Sequence, residues 1–144
     1  MEVSTLFQFC NGLALAGWIA LLLSPYFRKA MFIIQKGIVP LLLGVVYSYL
    51  LLKYFATVDG NFTSLEGVKN LFQSDGMVLA GWVHYLAFDL WVGSWELGDS
   101  MKNKIPFWIV VPCLLLTFLF GPLGLLTYLL IRANMNRKLN HENF

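Results

Sequence analysis

The chain has 144 residues and a mass of 16.4 kDa, enough for one domain. Hydrophobic residues make up 58% of it and charged residues 12%, against about 25% charged residues in an average soluble domain. This composition excludes a cytosolic enzyme, a disordered chain and a disulfide scaffold, and it predicts a membrane protein. The net charge of +2 is too small to indicate a partner such as nucleic acid.

Four apolar stretches are long enough, or nearly so, to cross a bilayer, which takes roughly 17–25 residues. They predict an all-α membrane protein: a four-transmembrane-helix bundle within a single membrane domain, residues 1–144. The predicted spans are 6–23, 37–56, 77–95 and 105–131, followed by a polar tail over 132–144. In the fourth span, Gly121-Pro122-Leu123-Gly124 should break or bend the helix. A helix broken within a membrane usually lines a cavity.

A short interfacial helix is predicted between the second and third spans. Thr63 and Glu66 have the spacing of a capping box. Apolar residues then recur at helical intervals, at Leu65, Val68, Leu71 and Phe72. Such a segment is either a lid over a cavity or, as we favour, a connector lying at the membrane surface. Asn61-Phe62-Thr63 also matches a glycosylation acceptor, a weak signal because it is so short.

The third span contains two ionisable residues, His84 and Asp89. An ionisable group at mid-membrane depth costs several kcal/mol and is therefore usually functional or paired. Five residues of helix place the two about 140° apart with Cβ atoms roughly 10 Å apart, a poor spacing for one metal ion. A protonated Asp89 could instead donate a proton and His84 accept one. Alternatively, both hold helices together through hydrogen bonds to Gln8, Asn11, Tyr47 or Tyr85.

Other polar groups carry weaker signals. Glu96 and Asp99, near the end of the third span, could bind a cation with Asp89, but a solvated helix end is the interpretation we favour. Cys10 and Cys113 lie within apolar runs and are typical of small hydrophobic fillers. The chain has no phosphate loop, dinucleotide fingerprint, nucleophile elbow or zinc-protease motif, and we expect no cofactor and no metal.

Several motifs together resemble one family. Trp82-Val83-His84 is followed by Asp89-Leu90, and then by Pro112-Cys113-Leu114-Leu115-Leu116 and Gly121-Pro122-Leu123-Gly124. The second span adds Val39-Pro40 and the run Leu43-Gly44-Val45-Val46-Tyr47-Ser48-Tyr49-Leu50-Leu51. Over residues 25–132 the chain is similar to the abscisic-acid-deficient-four-like family, whose plant members are the neoxanthin synthases of plastid membranes.

The resemblance implies an isomerisation of the kind that converts violaxanthin to neoxanthin. That reaction opens an epoxide and removes a vinylic proton, leaving an allene and an alcohol, with no redox cofactor. Our hypothesis assigns Asp89 as the acid and His84 as the base. Of the predicted substrate-binding residues, Asn11 and Tyr47 would orient the end group of the substrate. The others are Trp82, Tyr85, Trp91 and Pro122.

The expected partners are an apolar, carotenoid-like small molecule and membrane lipid, and a homodimer is possible. No plastid transit segment is evident, so the resemblance implies a bacterial-type member in the inner (plasma) membrane. Two alternatives to catalysis remain open. One is a protein that binds or assembles a carotenoid or lipid without converting it. The other is a structural bundle whose polar pair is satisfied internally.

Overall fold

Every regular element of the described structure is helical. The computed structural model describes residues 2–27 and 37–141, and the predicted all-α class is confirmed there. A 3₁₀ turn, Phe55–Thr57, continues the second of its helices. The described α-helices are α1 Val3–Leu23, α2 Ile38–Tyr54, α3 Leu65–Leu71, α4 Asp75–Lys102, α5 Phe107–Phe120 and α6 Pro122–His141.

Two of these helices are long and apolar enough to cross a membrane: α1, and α2 together with its 3₁₀ turn. They coincide with the first and second predicted spans. The longer α4 carries His84, Asp89 and Glu96, which lower its hydropathy. The 14 residues of α5 rise only about 21 Å, less than a hydrocarbon core of about 30 Å. Among the described residues, two spans are therefore supported, and the four-span bundle remains a proposal.

The predicted fourth span is two helices rather than one. The break falls at Gly121, as the sequence indicates, whereas Pro112 stays inside α5 without ending it. Pro122 then opens α6, a position where the missing N–H of proline is harmless. Within the predicted polar tail, residues 132–141 continue α6 to His141, because no glycine or proline interrupts them. The remaining residues, 142–144, lie outside the described part.

The short helix predicted before the third span is present as α3, but its cap is not the predicted one. The Ser64 side chain accepts a hydrogen bond from the backbone N–H of Gly67 at 3.0 Å. Thr63 instead donates its backbone N–H and its hydroxyl to Oδ1 of Asn61, at 3.0 and 2.8 Å. The N-cap is therefore Ser64 rather than Thr63, because an Asx turn at Asn61 engages Thr63, and no capping box forms because the residue three positions after Ser64 is Gly67.

The described residues form two compact units. The first comprises Met1–Gly17 and Ile38–Phe88. Its core is built from apolar residues spaced three, four or seven apart on each helix, which gives α1, α2 and α4 one buried face each. These residues are Leu6, Cys10 and Ala14 on α1, Leu43 and Leu50 on α2, and Leu79, Ala80, Val83, Leu86 and Ala87 on α4.

The second unit comprises Trp18–Gly37 and Asp89–Phe144. Its helices approach closely where glycine leaves room. The Trp18 ring and Leu21 lie against Gly93, and the backbone and hydroxyl of Thr117 lie against Gly124. Trp18 also makes an edge contact with Phe118, with ring centroids 5.4 Å apart. Small residues at helix contacts are typical of membrane proteins, where they allow close packing of the backbones.

Gly121→Ala should destabilise the protein by about 1–3 kcal/mol. Gly121 has a φ of +47°, which L side chains rarely adopt, and a Cβ there would lie 2.7 Å from an Asp89 carboxylate oxygen. Thermal unfolding in detergent measures the effect. Gly12→Ala is the control because nothing lies within 4 Å of its Cβ position, so it should be neutral or slightly stabilising. Equal unfolding temperatures for both variants would contradict the described break.

Candidate functional site

Helix α4 carries both predicted acid–base residues, but they belong to different units. His84 lies in the first unit and Asp89 in the second. The remaining predicted residues divide in the same way: Asn11, Tyr47, Trp82 and Tyr85 lie in the first unit, and Trp91 and Pro122 in the second.

His84 is exposed and is held by aromatic rings. Its imidazole stacks on Phe88, with centroids 4.5 Å apart and planes 20° apart. Tyr47 makes an edge contact with the same imidazole at 5.4 Å. The structure therefore brings Tyr47 together with His84, two residues that the sequence placed on different helices. The ring contacts fix the plane of the imidazole.

Asn11 holds the indole of Trp82. The indole Nε1 donates to Asn11 Oδ1 at 3.0 Å, and Asn11 Nδ2 donates to the carbonyl of Phe7 at 2.8 Å. The Trp82 ring also lies 6.1 Å from Phe7 and 5.4 Å from Tyr85, centroid to centroid. These bonds make Asn11 a residue that orients Trp82, and its amide keeps one further N–H and one further lone pair.

A cleft of about 710 Å³ lies beside these aromatic residues. Its wall is mostly apolar and includes Phe7, Phe72, Trp82 and Tyr85, with the carboxylate of Asp75 among them. The volume falls within the range of small-molecule sites, roughly 300–1,000 Å³. Two of the predicted substrate residues, Trp82 and Tyr85, line this cleft, whereas His84 and Asp89 do not.

Asp89 is buried in the second unit, with 9% of its surface exposed. Its carboxylate lies against the backbone of Gly121, so closely that a Cβ at that position would be 2.7 Å from Oδ1. The break between α5 and α6 therefore forms part of the surroundings of this carboxylate. Pro122 follows Gly121 directly and is exposed, and the exposed ring of Trp91 packs over Gly37.

Glu96 is the polar residue that the sequence interpretation placed wrongly. The interpretation of Glu96 and Asp99 as a solvated helix end is wrong for Glu96, which is completely buried. The hydroxyl of Thr117 lies 2.9 Å from Oε1 and 3.1 Å from Oε2 of its carboxyl group and donates to it. The sequence does contain one indication that Glu96 is buried: it lies seven residues from Asp89 and therefore on the same face of α4. Its partner Thr117 could not be predicted from the sequence, because Thr117 stands in an apolar run.

Asp99 joins α4 to α6 through two side chains. Its Oδ2 accepts a hydrogen bond from the hydroxyl of Tyr128 at 2.6 Å and lies 3.1 Å from Nε of Arg132. Tyr128 is fully buried and makes an edge contact with Trp95 at 5.8 Å. The three carboxyl groups that α4 carries in the second unit thus contact different parts of the following helices: Asp89 the Gly121 break, Glu96 helix α5 and Asp99 helix α6.

Neither a metal site nor a disulfide is found in the described part of the chain. No group of three or more His, Cys, Asp or Glu side chains is placed there to hold a metal ion. Cys10 and Cys113 are free and buried, which confirms their interpretation as small apolar fillers. What the polar groups offer chemically is hydrogen bonding and proton transfer.

The described part of the chain is all-helical, with two apolar helices of membrane-spanning length and buried carboxyl groups on α4, which is the pattern expected of a helical membrane protein. The chain belongs to the ABA DEFICIENT 4-like family, whose model matches residues 5–128. The resemblance read from the sequence motifs is thereby confirmed.

One curated relative bears the name Protein ABA DEFICIENT 4, chloroplastic, and comes from Arabidopsis thaliana. The two proteins are 27% identical over 112 residues, which is 72% of this chain and 50% of the relative. The chain therefore spans about half the length of that protein. The chloroplast is the location of that relative, and it does not support the predicted bacterial inner membrane. No solved structure matches the chain.

Tyr128→Phe should destabilise the protein by about 1.5–3 kcal/mol, since it removes a buried hydrogen bond to a charged acceptor. The ring and its contact with Trp95 would remain. Thermal unfolding in detergent measures the loss. Tyr26→Phe is the matched control, because Tyr26 is 73% exposed, and it should change stability by less than about 0.5 kcal/mol. Equal effects of the two substitutions would show that the Tyr128–Asp99 bond adds nothing to stability.

Proposed function

We propose that this chain is an integral membrane protein that isomerises a carotenoid or a related apolar lipid without a cofactor. Membership of the ABA DEFICIENT 4-like family supports the class of protein. The observation that carries the catalytic part is the burial of Asp89 against Gly121, at the break between α5 and α6. A carboxyl group kept out of water favours its neutral form, which can donate a proton.

The proposed reaction opens an epoxide and leaves an allene beside an alcohol. Asp89 gives its proton to the epoxide oxygen as the carbon–oxygen bond breaks. His84 removes the vinylic proton, and the electron pair of that carbon–hydrogen bond becomes the new double bond. The substrate gains one proton and loses one, so the reaction is an isomerisation. The imidazolium then releases one proton and the Asp89 carboxylate takes one up, which restores both residues without net change.

The other predicted substrate residues keep proposed roles, which their contacts refine. Tyr47 fixes the plane of the His84 ring, and Asn11 fixes the indole of Trp82. Trp82 and Tyr85 offer an aromatic wall to a conjugated chain. Trp91 and the exposed ring of Pro122 are proposed to contact the substrate near Asp89.

The proposed membrane arrangement is the predicted one: a single domain of four spans, with α4 forming the third and α5 with the start of α6 forming the fourth. The Gly121 break then lies within the membrane, where its freed backbone groups need partners. A bacterial inner membrane and a homodimer remain predictions. Labelling of single introduced cysteines in intact cells, from either side, tests the number of spans.

Asp89→Asn and His84→Phe should each abolish pigment conversion in a host that accumulates an epoxy-carotenoid, measured by pigment chromatography. Asparagine keeps the shape of Asp89 but has no acidic proton to donate. Phenylalanine keeps the ring contacts of His84 but cannot accept a proton. Asp59→Asn, at an exposed loop position, is the matched control and should convert pigment at the wild-type rate. Full conversion by either of the first two variants would refute the role assigned to that residue.

A second candidate function is non-catalytic binding or assembly of a carotenoid or lipid. The observation that favours it is the cleft itself, which includes Trp82 and Tyr85 but neither acid–base residue. This function predicts that the purified protein retains unchanged pigment, and that Trp82→Ala reduces the retained amount while Asp89→Asn does not. Appearance of an isomerised pigment that depends on the wild-type chain would exclude it.

A further inference from the structure

The buried carboxyl group of Glu96 has no part in the proposed reaction and lies close to a residue that does. It is fully buried on α4, and its contacts join α4 to the end of α5. A carboxyl group buried in this way without a partner would be strongly unfavourable. The partner is Thr117, whose hydroxyl contacts both carboxyl oxygens.

Thr117 stands one helical turn before Gly121, in the last turn of α5. Its carbonyl accepts a hydrogen bond from the N–H of Gly121 at 2.9 Å, which closes that turn. Its backbone and hydroxyl also lie directly against Gly124 at the start of α6. A shift of Thr117 would therefore move the whole Thr117–Gly124 segment, which we call the α5–α6 corner.

Asp89 lies against this corner at Gly121. Glu96 is seven residues further along α4, on the same face, about 10.5 Å away along the helix axis. Helix α4 thus approaches the corner at two levels, with Asp89 at Gly121 and Glu96 at Thr117. Asp99 adds a third attachment, to α6 through Tyr128 and Arg132.

We infer that Glu96 and Thr117 are positioning residues: their hydrogen bond holds the α5–α6 corner against Asp89 and so fixes the orientation of that carboxyl group. The inference rests on the proposed role of Asp89. Glu96 acts here as a hydrogen-bond acceptor and passes no proton to the substrate. Since reactivity depends on placement within fractions of an ångström, loss of this bond should slow conversion by about tenfold to a hundredfold.

The test compares Thr117→Val, which removes the hydroxyl at nearly constant shape, with Thr117→Ser, which keeps it. Thr127→Val is the matched control, because the Thr127 hydroxyl bonds only to the Leu123 carbonyl of its own helix. Pigment conversion is one readout. The other is the rate at which dicyclohexylcarbodiimide, an apolar carboxyl reagent, modifies Asp89 in the purified full chain, followed by peptide mass spectrometry.

Thr117→Val should lower conversion by the stated factor and raise Asp89 modification severalfold, whereas Thr117→Ser and Thr127→Val should match the wild type in both. Glu96→Gln should also match it, since the glutamine oxygen can accept the same bond. Unchanged Asp89 modification in Thr117→Val would overturn the inference. Loss of conversion in Glu96→Gln with unchanged modification would overturn it too, and would indicate a proton-transfer role for Glu96.

Buried Cys10 in the first unit and buried Cys113 in the second report on folding, because a maleimide should reach neither in the native protein. If Thr117→Val exposes either cysteine, Glu96→Ala, which removes the same bond from the side of α4, is compared with the wild type instead. If Thr117→Val and Glu96→Ala both unfold and Thr127→Val does not, the Thr117–Glu96 hydrogen bond supports the whole fold. That result would overturn the positioning inference. If the wild type converts no pigment, the proposed function fails, while the modification of Asp89 still tests the positioning.

Discussion

The structure of the second unit depends on the placement of carboxyl groups in an apolar chain. Only 12% of the residues are charged, yet α4 carries Asp89, Glu96 and Asp99 within eleven consecutive positions, 89–99. Such groups are tolerated away from water only where partners meet them. Here the following two helices supply these partners, with Thr117 on α5 and Tyr128 and Arg132 on α6. The hydrogen bonds and the ion pair of the α4 carboxyl groups thereby hold α5 and α6 in place against α4.

Glycine makes that packing possible. Gly121 lets the chain turn with a positive φ and admits the Asp89 carboxylate, and Gly124 admits the backbone of Thr117. A carboxyl group held at a helix break is suited to acid catalysis, because its surroundings exclude water while the break leaves an irregular surface beside it. The aromatic wall of the first unit offers a different property, an apolar cleft with fixed rings. The proposed catalysis and the proposed binding of a conjugated lipid thus rest on separate features of the chain.

Local signals predicted much of the fold. The apolar runs gave the first two long helices, and the Gly121-Pro122 pair marked the break. The short helix α3 followed from its spacing, although the cap is Ser64 because an Asx turn engages Thr63. What sequence could not supply were side-chain partners from distant parts of the chain. Glu96 looked solvated because it stands near charged residues, and its burial depends on Thr117, 21 positions away. The role of Asn11 likewise depends on Trp82.

The most direct test of the account uses the purified wild-type chain in bilayers of defined lipid that contain an epoxy-carotenoid, with no added cofactor. Pigments are extracted over time and separated by chromatography, beside the same bilayers containing the Asp89→Asn chain. The account predicts that an allenic isomer accumulates with the wild type only. Unchanged pigment with the wild type, or equal conversion by both chains, would contradict the claim that a buried Asp89 supplies the acid.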